Sequence, residues 1–360
     1  MKPNYLIHGG NILEESLRLG ISSNNILDAS ASLVPFKLPK KIKKGLIKAI
    51  SNNSLRSYPD TNYTILREEI GKWHNINPEM ILPGNGASEI FTWAAKDAQI
   101  KGESVLPSPN FSDHIRALKC QNAKYIEQEI ALFDKNKTPK SFPIKTEDKV
   151  VWITNPHNPT GELWSKESII EIIKANKLVI CDEAFLPLSP EGESESVINL
   201  VTKYSNLIVI RSLTKLYSIA GLRLGYAITS KERVRRWKAW RDPWPVNKLA
   251  VEAGILIFKD KKETSKWLSK IHKWVLLEGQ WFTQELNKIK GLRVHPSSVN
   301  FFLIEGYSSL TFLREELAKK GILLRDCRSF AGLGENWLRV SLQNRAGNKE
   351  IISSIRSILN

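Results

Sequence analysis

Arg211-Ser-Leu-Thr-Lys-Leu-Tyr-Ser-Ile-Ala-Gly-Leu-Arg-Leu-Gly-Tyr226 follows an apolar run, Leu207-Ile-Val-Ile210, that reads as a buried strand. The stretch holds Lys215 in a small polar turn, with Ser212 three residues before it and Arg223 eight after. A lysine just past a buried strand is poorly solvated, which favours its neutral amine. A neutral amine is a nucleophile for carbonyl carbons. Ser212 and Arg223 stand where they can hold a phosphate beside it. A surface lysine after a strand fits the same local text, so the decision rests on the remainder of the chain.

Outward from this stretch, strand-like runs recur at 104–107, 123–127, 150–154, 178–182 and 207–211, and 224–229 reads as a further strand. Helical patterns lie between most of them, near 111–119 and 166–175, with others at 39–52, 63–74 and from Glu89 to about Asp97. In 63–74, Ile65, Leu66, Ile70 and Trp73 form the expected buried stripe; in 39–52, Ile42, Leu46 and Ile47 share a side. Strands alternating with helices predict a mostly parallel α/β sheet. Residues 231–258 read as helical around a break at Asp242-Pro-Trp-Pro245, with tryptophans turned toward a lobe interface, and 262–288 as a long hinge helix. Beyond it the pattern becomes strand 299–304, helix 308–319, strand 322–326, strand 336–341 and helix 346–358, a compact α+β lobe. The expected division is an arm over 1–35 packing with the small lobe, a large domain over 36–260 and a small domain over 261–360. Within the arm, Ile12, Leu13, Leu17 and Leu19 have near-helical spacing, and 26–30 reads as a short strand.

A chain of 360 residues with a 42% apolar fraction supports a large core and two lobes. Its first residues, MKPNYLIHGGNILEES, lack the apolar core of a secretory signal. No apolar run approaches the roughly 18 residues of a membrane span. Cys120, Cys181 and Cys327 lie far apart without a CxxC pair, the pattern of reduced thiols in a cytosolic protein, and no metal site is expected. The net charge of +16 suits anionic ligands. Its lysines are spread along amphipathic segments such as 40–48 without a recognition motif, which argues against nucleic acid.

Four more candidate sites sit at strand ends, where open α/β sheets bind ligands. Gly84-Asn-Gly-Ala-Ser-Glu89 is a glycine turn entering a helix, whose free N–H groups suit a phosphate. Asn155-Pro-His-Asn-Pro-Thr-Gly161 is an extended loop that presents Asn158. Cys181-Asp-Glu-Ala-Phe185 puts Asp182 at a buried strand end, where a carboxylate is costly unless paired. Glu183 reads as a structural partner. Trp337-Leu-Arg-Val-Ser341 places Arg339 mid-strand; turned inward, it is a fork for a carboxylate or phosphate.

Together these motifs resemble the fold-type I enzymes that use pyridoxal phosphate, the aspartate-aminotransferase superfamily, over essentially the whole chain. The resemblance implies that Lys215 carries the cofactor as a Schiff base and that Asp182 pairs the pyridine nitrogen. It implies that Asn158 bonds the ring 3′-oxygen and that Phe111 stacks on the ring. Ala87, Ser88, Ser212 and Arg223 would hold the cofactor phosphate. Tyr58, in Ser57-Tyr-Pro-Asp60, would reach the cofactor of a neighbouring subunit, which makes a homodimer. Arg339 would take the substrate carboxylate.

Within the superfamily the chain is similar to the branch containing histidinol-phosphate aminotransferases and threonine-phosphate decarboxylases. His8-Gly-Gly-Asn11, Tyr217, Pro243-Trp-Pro-Val-Asn247, Leu324-Arg-Asp-Cys-Arg-Ser-Phe330 and Phe185 are similar to the decarboxylases. Ser30-Ala-Ser-Leu-Val-Pro35 departs from their S-A-N-I-N-P: Ser32 and Val34 replace two asparagines. The resemblance implies decarboxylation of L-threonine O-3-phosphate in cobalamin biosynthesis, with His8, Ser32 and Arg325 at the substrate phosphate. The alternatives are an aminotransferase for histidinol phosphate or an aromatic substrate, and a basic binding protein without chemistry.

Overall fold

The computed structural model describes residues 9–52, 54–132 and 139–359. Its centre is a seven-stranded sheet: β2 (Ile81–Asn85), β3 (Ser104–Ser108), β4 (Tyr125–Glu129), β5 (Val150–Thr154), β6 (Leu178–Asp182), β7 (Leu207–Ser212) and β8 (Leu224–Ile228). The order is β2-β8-β7-β6-β5-β3-β4. β8 runs antiparallel to both neighbours, and every other pairing is parallel.

β5, β6 and β7 are buried along their whole length, which explains their unbroken Val/Ile/Leu text. Side chains alternate between faces. Val150, Trp152, Leu178, Ile180, Ile208 and Ile210 meet α4 (Gly86–Lys101), α5 (Ser112–Cys120) and α7 (Lys231–Trp240) on one face. Val151, Ile153, Val179, Cys181 and Val209 face the other cluster, with α2 (Lys40–Ser51), α3 (Thr64–His74), α6 (Lys166–Ala175) and α8 (Lys248–Lys259).

The C-terminal part holds an antiparallel sheet, ordered β12-β13-β10-β9, of β9 (Leu292–Val294), β10 (Phe301–Gly306), β12 (Arg325–Asp326) and β13 (Trp337–Ser341). β1 (Leu27–Asp28) of the arm pairs in parallel with β11 (Ile322–Leu323). α10 (Thr311–Lys319) and α11 (Arg345–Leu359) pack on each other, and α1 (Ile12–Leu19) lies against α10, where buried Glu15 meets Arg314 at 2.6 Å. The 26-residue α9 (Lys261–Leu286), about 39 Å long at 1.5 Å per residue, touches both parts. Its Trp267 Nε1 donates to the Leu216 carbonyl at 2.9 Å, and its Trp274 Nε1 to that of Gln343 at 3.2 Å.

Several expectations need correction. The run 322–326 is two strands in two sheets: β11 serves the arm and β12 the C-terminal sheet, with Leu324 between them. β9 has no counterpart in the sequence reading; three residues carry too little periodicity. Ile65 is 58% exposed, because the buried stripe of α3 centres on Leu66 and Ile70 and Ile65 lies one helical step off it. Ile47, Leu13 and Leu17 are likewise exposed. Trp237 points into the sheet-face cluster with α4, not a lobe interface, and Trp244 stacks on Tyr58 with centroids 4.5 Å apart. Helix α4 begins at Gly86 and runs to Lys101, longer than read at both ends. Among the described residues no helix is long and apolar enough to cross a membrane, no acidic, His or Cys cluster is placed to hold a metal ion, and all three cysteines are free.

Candidate active site

The carboxyl ends of β5, β6 and β7 open into a cavity. Its walls include Ala87, Ser88, Phe111, Asn158, Asp182, Ser212, Lys215 and Arg223 from the large sheet and its helices. The arm and the C-terminal sheet add Gly9, Ser32, Arg325, Phe330 and Arg339.

The turn after β7 fixes Lys215. Ser212 Oγ and Thr214 Oγ1 are 2.8 Å apart across it, and the Lys215 carbonyl accepts from Val34 N–H of the arm at 3.3 Å. No hydrogen bond to the Lys215 amine is seen among the described residues. Burial, with the positive charges of Arg339 and Arg223 second, lowers the pKa of this amine to about 8. The direction of this shift is the one expected of a lysine at a buried strand end.

Asp182 ends β6. Its Oδ1 accepts from Ala184 N–H at 3.0 Å and its Oδ2 lies 3.1 Å from His114 Nε2. The sequence reading missed His114, although its i,i+3 spacing from Phe111 was a usable signal. The imidazole is boxed by Phe91, Trp152 and Phe111, at centroid distances of 4.6, 5.1 and 5.6 Å. It is thus a fixed partner behind the carboxylate. Glu183 faces away from the cavity lining and pairs with buried Arg211 at 2.8 Å.

Arg223 adopts a left-handed conformation, φ 59°. Its carbonyl accepts from Gly86 N–H at 3.0 Å, and its guanidinium covers the start of α4. Gly86 has φ +71°, a conformation that side-chain-bearing residues rarely adopt, and a Cβ there would push the Arg223 guanidinium aside. The Arg223 guanidinium, the start of α4 at Ala87 and Ser88, and Ser212 all line the cavity, donors of the kind that suit an oxyanion.

Arg339 is buried and inward. It donates from Nη1 to Asn158 Oδ1 and from Nη2 to the Ser30 carbonyl at 3.2 Å, while Nε has no partner. Burial and the nearby Arg325 lower its pKa to about 10. Arg325 stands directly opposite it in the β12–β13 register, and burial lowers its pKa as well. Its Nη2 donates to Ser329 Oγ at 2.6 Å. Ser32 lines the cavity, but its hydroxyl is already engaged with Ser341 Oγ at 2.8 Å. Tyr58 is 78% exposed and outside this cavity, and His8 lies outside the described residues.

The model of the aminotransferase class I and II family matches residues 18–355, and the chain belongs to that family. A histidinol-phosphate aminotransferase of Caldanaerobacter subterraneus subsp. tengcongensis is 31% identical over 91% of this chain and 92% of its own. A threonine-phosphate decarboxylase of Salmonella typhimurium is 30% identical over 98% of this chain and 96% of its own. The crystal structure of the histidinol-phosphate aminotransferase from Clostridium acetobutylicum superposes with a TM-score of 0.80 at 28% identity, covering 93% of this chain and 99% of that one. The family depends on pyridoxal phosphate, and this chain is a fold-type I enzyme of that class. The site fits the cofactor: a buried lysine whose pKa is lowered, a buried carboxylate, and the donors Ser88 at the start of α4, Ser212 and Arg223 line one cavity.

Proposed function

We propose that this chain is a decarboxylase of L-threonine O-3-phosphate, forming (R)-1-aminopropan-2-yl phosphate for the cobalamin side chain. The observation that carries the reading is the Arg325–Arg339 pair, two inward cations in register on adjacent strands at the mouth of the Lys215 cavity. Like charges desolvated side by side call for anions between them. A substrate with both a carboxylate and a phosphate supplies one to each. Histidinol phosphate has only the phosphate.

When bound, pyridoxal phosphate supplies an electron sink for a bond broken at the substrate α-carbon. Lys215 would hold its aldehyde carbon, and once the substrate amine takes that place its Nζ is free to carry a proton. Ser88, Ser212, Arg223 and the amide of Ala87 hold its phosphate. Asp182, set by His114, pairs the ring nitrogen. Asn158, whose amide oxygen is engaged by Arg339, would offer its NH2 to the ring oxygen. Phe111 stacks on the ring. Arg339 grips the substrate carboxylate and Arg325 the phosphate, with Ser32 beside it. Holding the substrate at two points selects the bond that faces the sink. If that bond is to the carboxylate, CO2 leaves and Lys215 Nζ delivers a proton to the α-carbon. If it is to hydrogen, Lys215 Nζ would take that proton, the first step of amino-group transfer to a 2-oxo acid.

The reading includes a cytoplasmic homodimer in which Tyr58, exposed and stacked on Trp244, reaches the second subunit's cofactor. A second reading, an aminotransferase, is favoured by the 31% identity to a histidinol-phosphate aminotransferase. Its amino donor, glutamate, also presents two anions to the arginine pair. The test is to incubate the holoenzyme with threonine phosphate and measure CO2, then to supply histidinol phosphate with 2-oxoglutarate and measure glutamate. CO2 release supports the decarboxylase; glutamate without CO2 overturns it.

A further inference from the structure

Helix α9 meets the turn that carries Lys215 through the Trp267 side chain. Trp267 is buried, and its Nε1 donates at 2.9 Å to the carbonyl of Leu216, the residue after Lys215. No other hydrogen bond to that carbonyl is seen among the described residues. The next residue, Tyr217, is buried and stacks on the Trp267 ring, with centroids 5.8 Å apart and planes 11° from parallel. One indole thus holds the turn by a directed bond and by a ring face. The end of the arm holds the same turn. Val34 N–H donates to the Lys215 carbonyl at 3.3 Å, and Ser218 Oγ donates to the Val34 carbonyl. Phe36, two residues on, stands nearly perpendicular to Trp267 with centroids 6.2 Å apart.

The same helix carries its own comparison. Trp274, about two helical turns further on, donates from Nε1 to the Gln343 carbonyl at 3.2 Å and lies 5.4 Å from the Phe36 ring. Both indoles are buried, both bond a main-chain carbonyl and both touch Phe36. Only the acceptor of Trp267 adjoins Lys215. The charges that act on the Lys215 amine come from elsewhere: Arg339 and Arg223 lower its pKa, and Asp182 and Asp28 raise it. The charged residues of α9 nearest Trp267, Glu263 and Lys270, are exposed. Trp267 carries no charge, so it acts on the amine through position alone.

We propose that Trp267 is a positioning residue for Lys215, holding the turn so that the amine stays inside the cavity and out of water. The proposal rests on the reading of Lys215 as the cofactor lysine and deepens it. Removing the indole N–H leaves a buried carbonyl unpaired one residue from Lys215, and the turn must move toward water to satisfy it. An amine that gains water returns toward the ordinary lysine pKa.

The test compares Trp267→Phe, which keeps a ring and loses the donor, with Trp274→Phe, which does the same at the other indole. Apoenzyme of each full-length variant is mixed with pyridoxal phosphate across a pH series, and the gain of visible absorbance is timed. The unfolding midpoint of each loaded protein is measured alongside. The wild-type rate is expected to level off near pH 8. Both variants are expected to unfold at lower temperature. Trp267→Phe should move the break up by about one pH unit, so that the rate at pH 7 falls about tenfold with the plateau retained. Trp274→Phe should leave the break where it is. Tyr217→Leu, which removes the stacked face and leaves the indole bond, should move it the same way as Trp267→Phe. An unmoved break in Trp267→Phe and Tyr217→Leu, or an equal shift in Trp274→Phe, would overturn the proposal. Lys215→Ala tests the underlying reading separately: if it still gains the lysine-bound absorbance, that reading fails whatever Trp267 does.

Discussion

The two walls of the Lys215 cavity are built differently. One is made of strand ends and the turns after them: Asp182 ends β6, Ser212 ends β7, Lys215 follows three residues on, and Ala87 lies in the first turn of α4. Each is fixed by its own element, so the wall exists wherever the large sheet exists. The other wall is assembled from distant segments. Gly9 and Ser32 come from the arm, Arg325 from β12 and Arg339 from β13. The arm and strands are joined by contacts such as Ser341 N–H to the Ala29 carbonyl at 2.9 Å and Asn300 Nδ2 to the Ser32 carbonyl at 3.2 Å. On the proposed reading the first wall holds the cofactor that the family shares, and the second meets the substrate. Substitutions in the first should destroy cofactor chemistry; those in the second should leave the cofactor in place and change what is done with it.

The largest effect is expected at Lys215. Lys215→Ala should abolish the visible absorbance of the lysine-bound cofactor and lower turnover by about 10³-fold or more, given the scale of nucleophilic and proton-transfer contributions. A variant that keeps its colour would break the division at its base. Arg339→Gln should keep the colour yet lower kcat/KM by about 10²-fold, the scale of removing one partner of a buried charge pair. Loss of colour there would show that the second wall also supports the cofactor, through Asn158.

The next prediction follows the Lys215 pKa of about 8. The protonated amine cannot attack the cofactor aldehyde. Below pH 8, the rate at which apoenzyme gains visible absorbance after cofactor addition should rise about tenfold per pH unit, then level off above it. A rate still climbing tenfold per unit past pH 9 would mean an ordinary, solvated lysine. The smallest effect is expected at Ser32. Ser32→Ala removes one hydrogen bond to Ser341, a loss of about 1 kcal/mol, and should raise KM a few-fold with kcat unchanged.

The same difference governs what the sequence discloses. Strands β5, β6 and β7 are buried on both faces, so burial itself wrote their continuous apolar runs. The polar residues at their ends stand out against that background, which is why Asp182, Ser212 and Lys215 could be named from local text. His114 sits on a helix and meets Asp182 only through the fold, a contact 68 residues apart. The pairing of Arg325 with Arg339 depends on a two-residue strand too short to carry a period. The engagement of Ser32 by Ser341 spans 309 residues, and nothing local marks it. Exposed Ile65, Leu13 and Leu17 show the converse: an apolar residue at helical spacing declares a face, not whether the chain covers it.

The central claim is that Arg325 belongs to the substrate and not to the cofactor. Its most direct test is Arg325→Gln, measured in one preparation for visible cofactor absorbance and for CO2 release from threonine phosphate. The expected result is an unchanged absorbance band with kcat/KM lowered by about 10²-fold, the cost of one charged hydrogen-bonded contact. An unchanged kcat/KM, or a fall that merely tracks loss of the band, would contradict it.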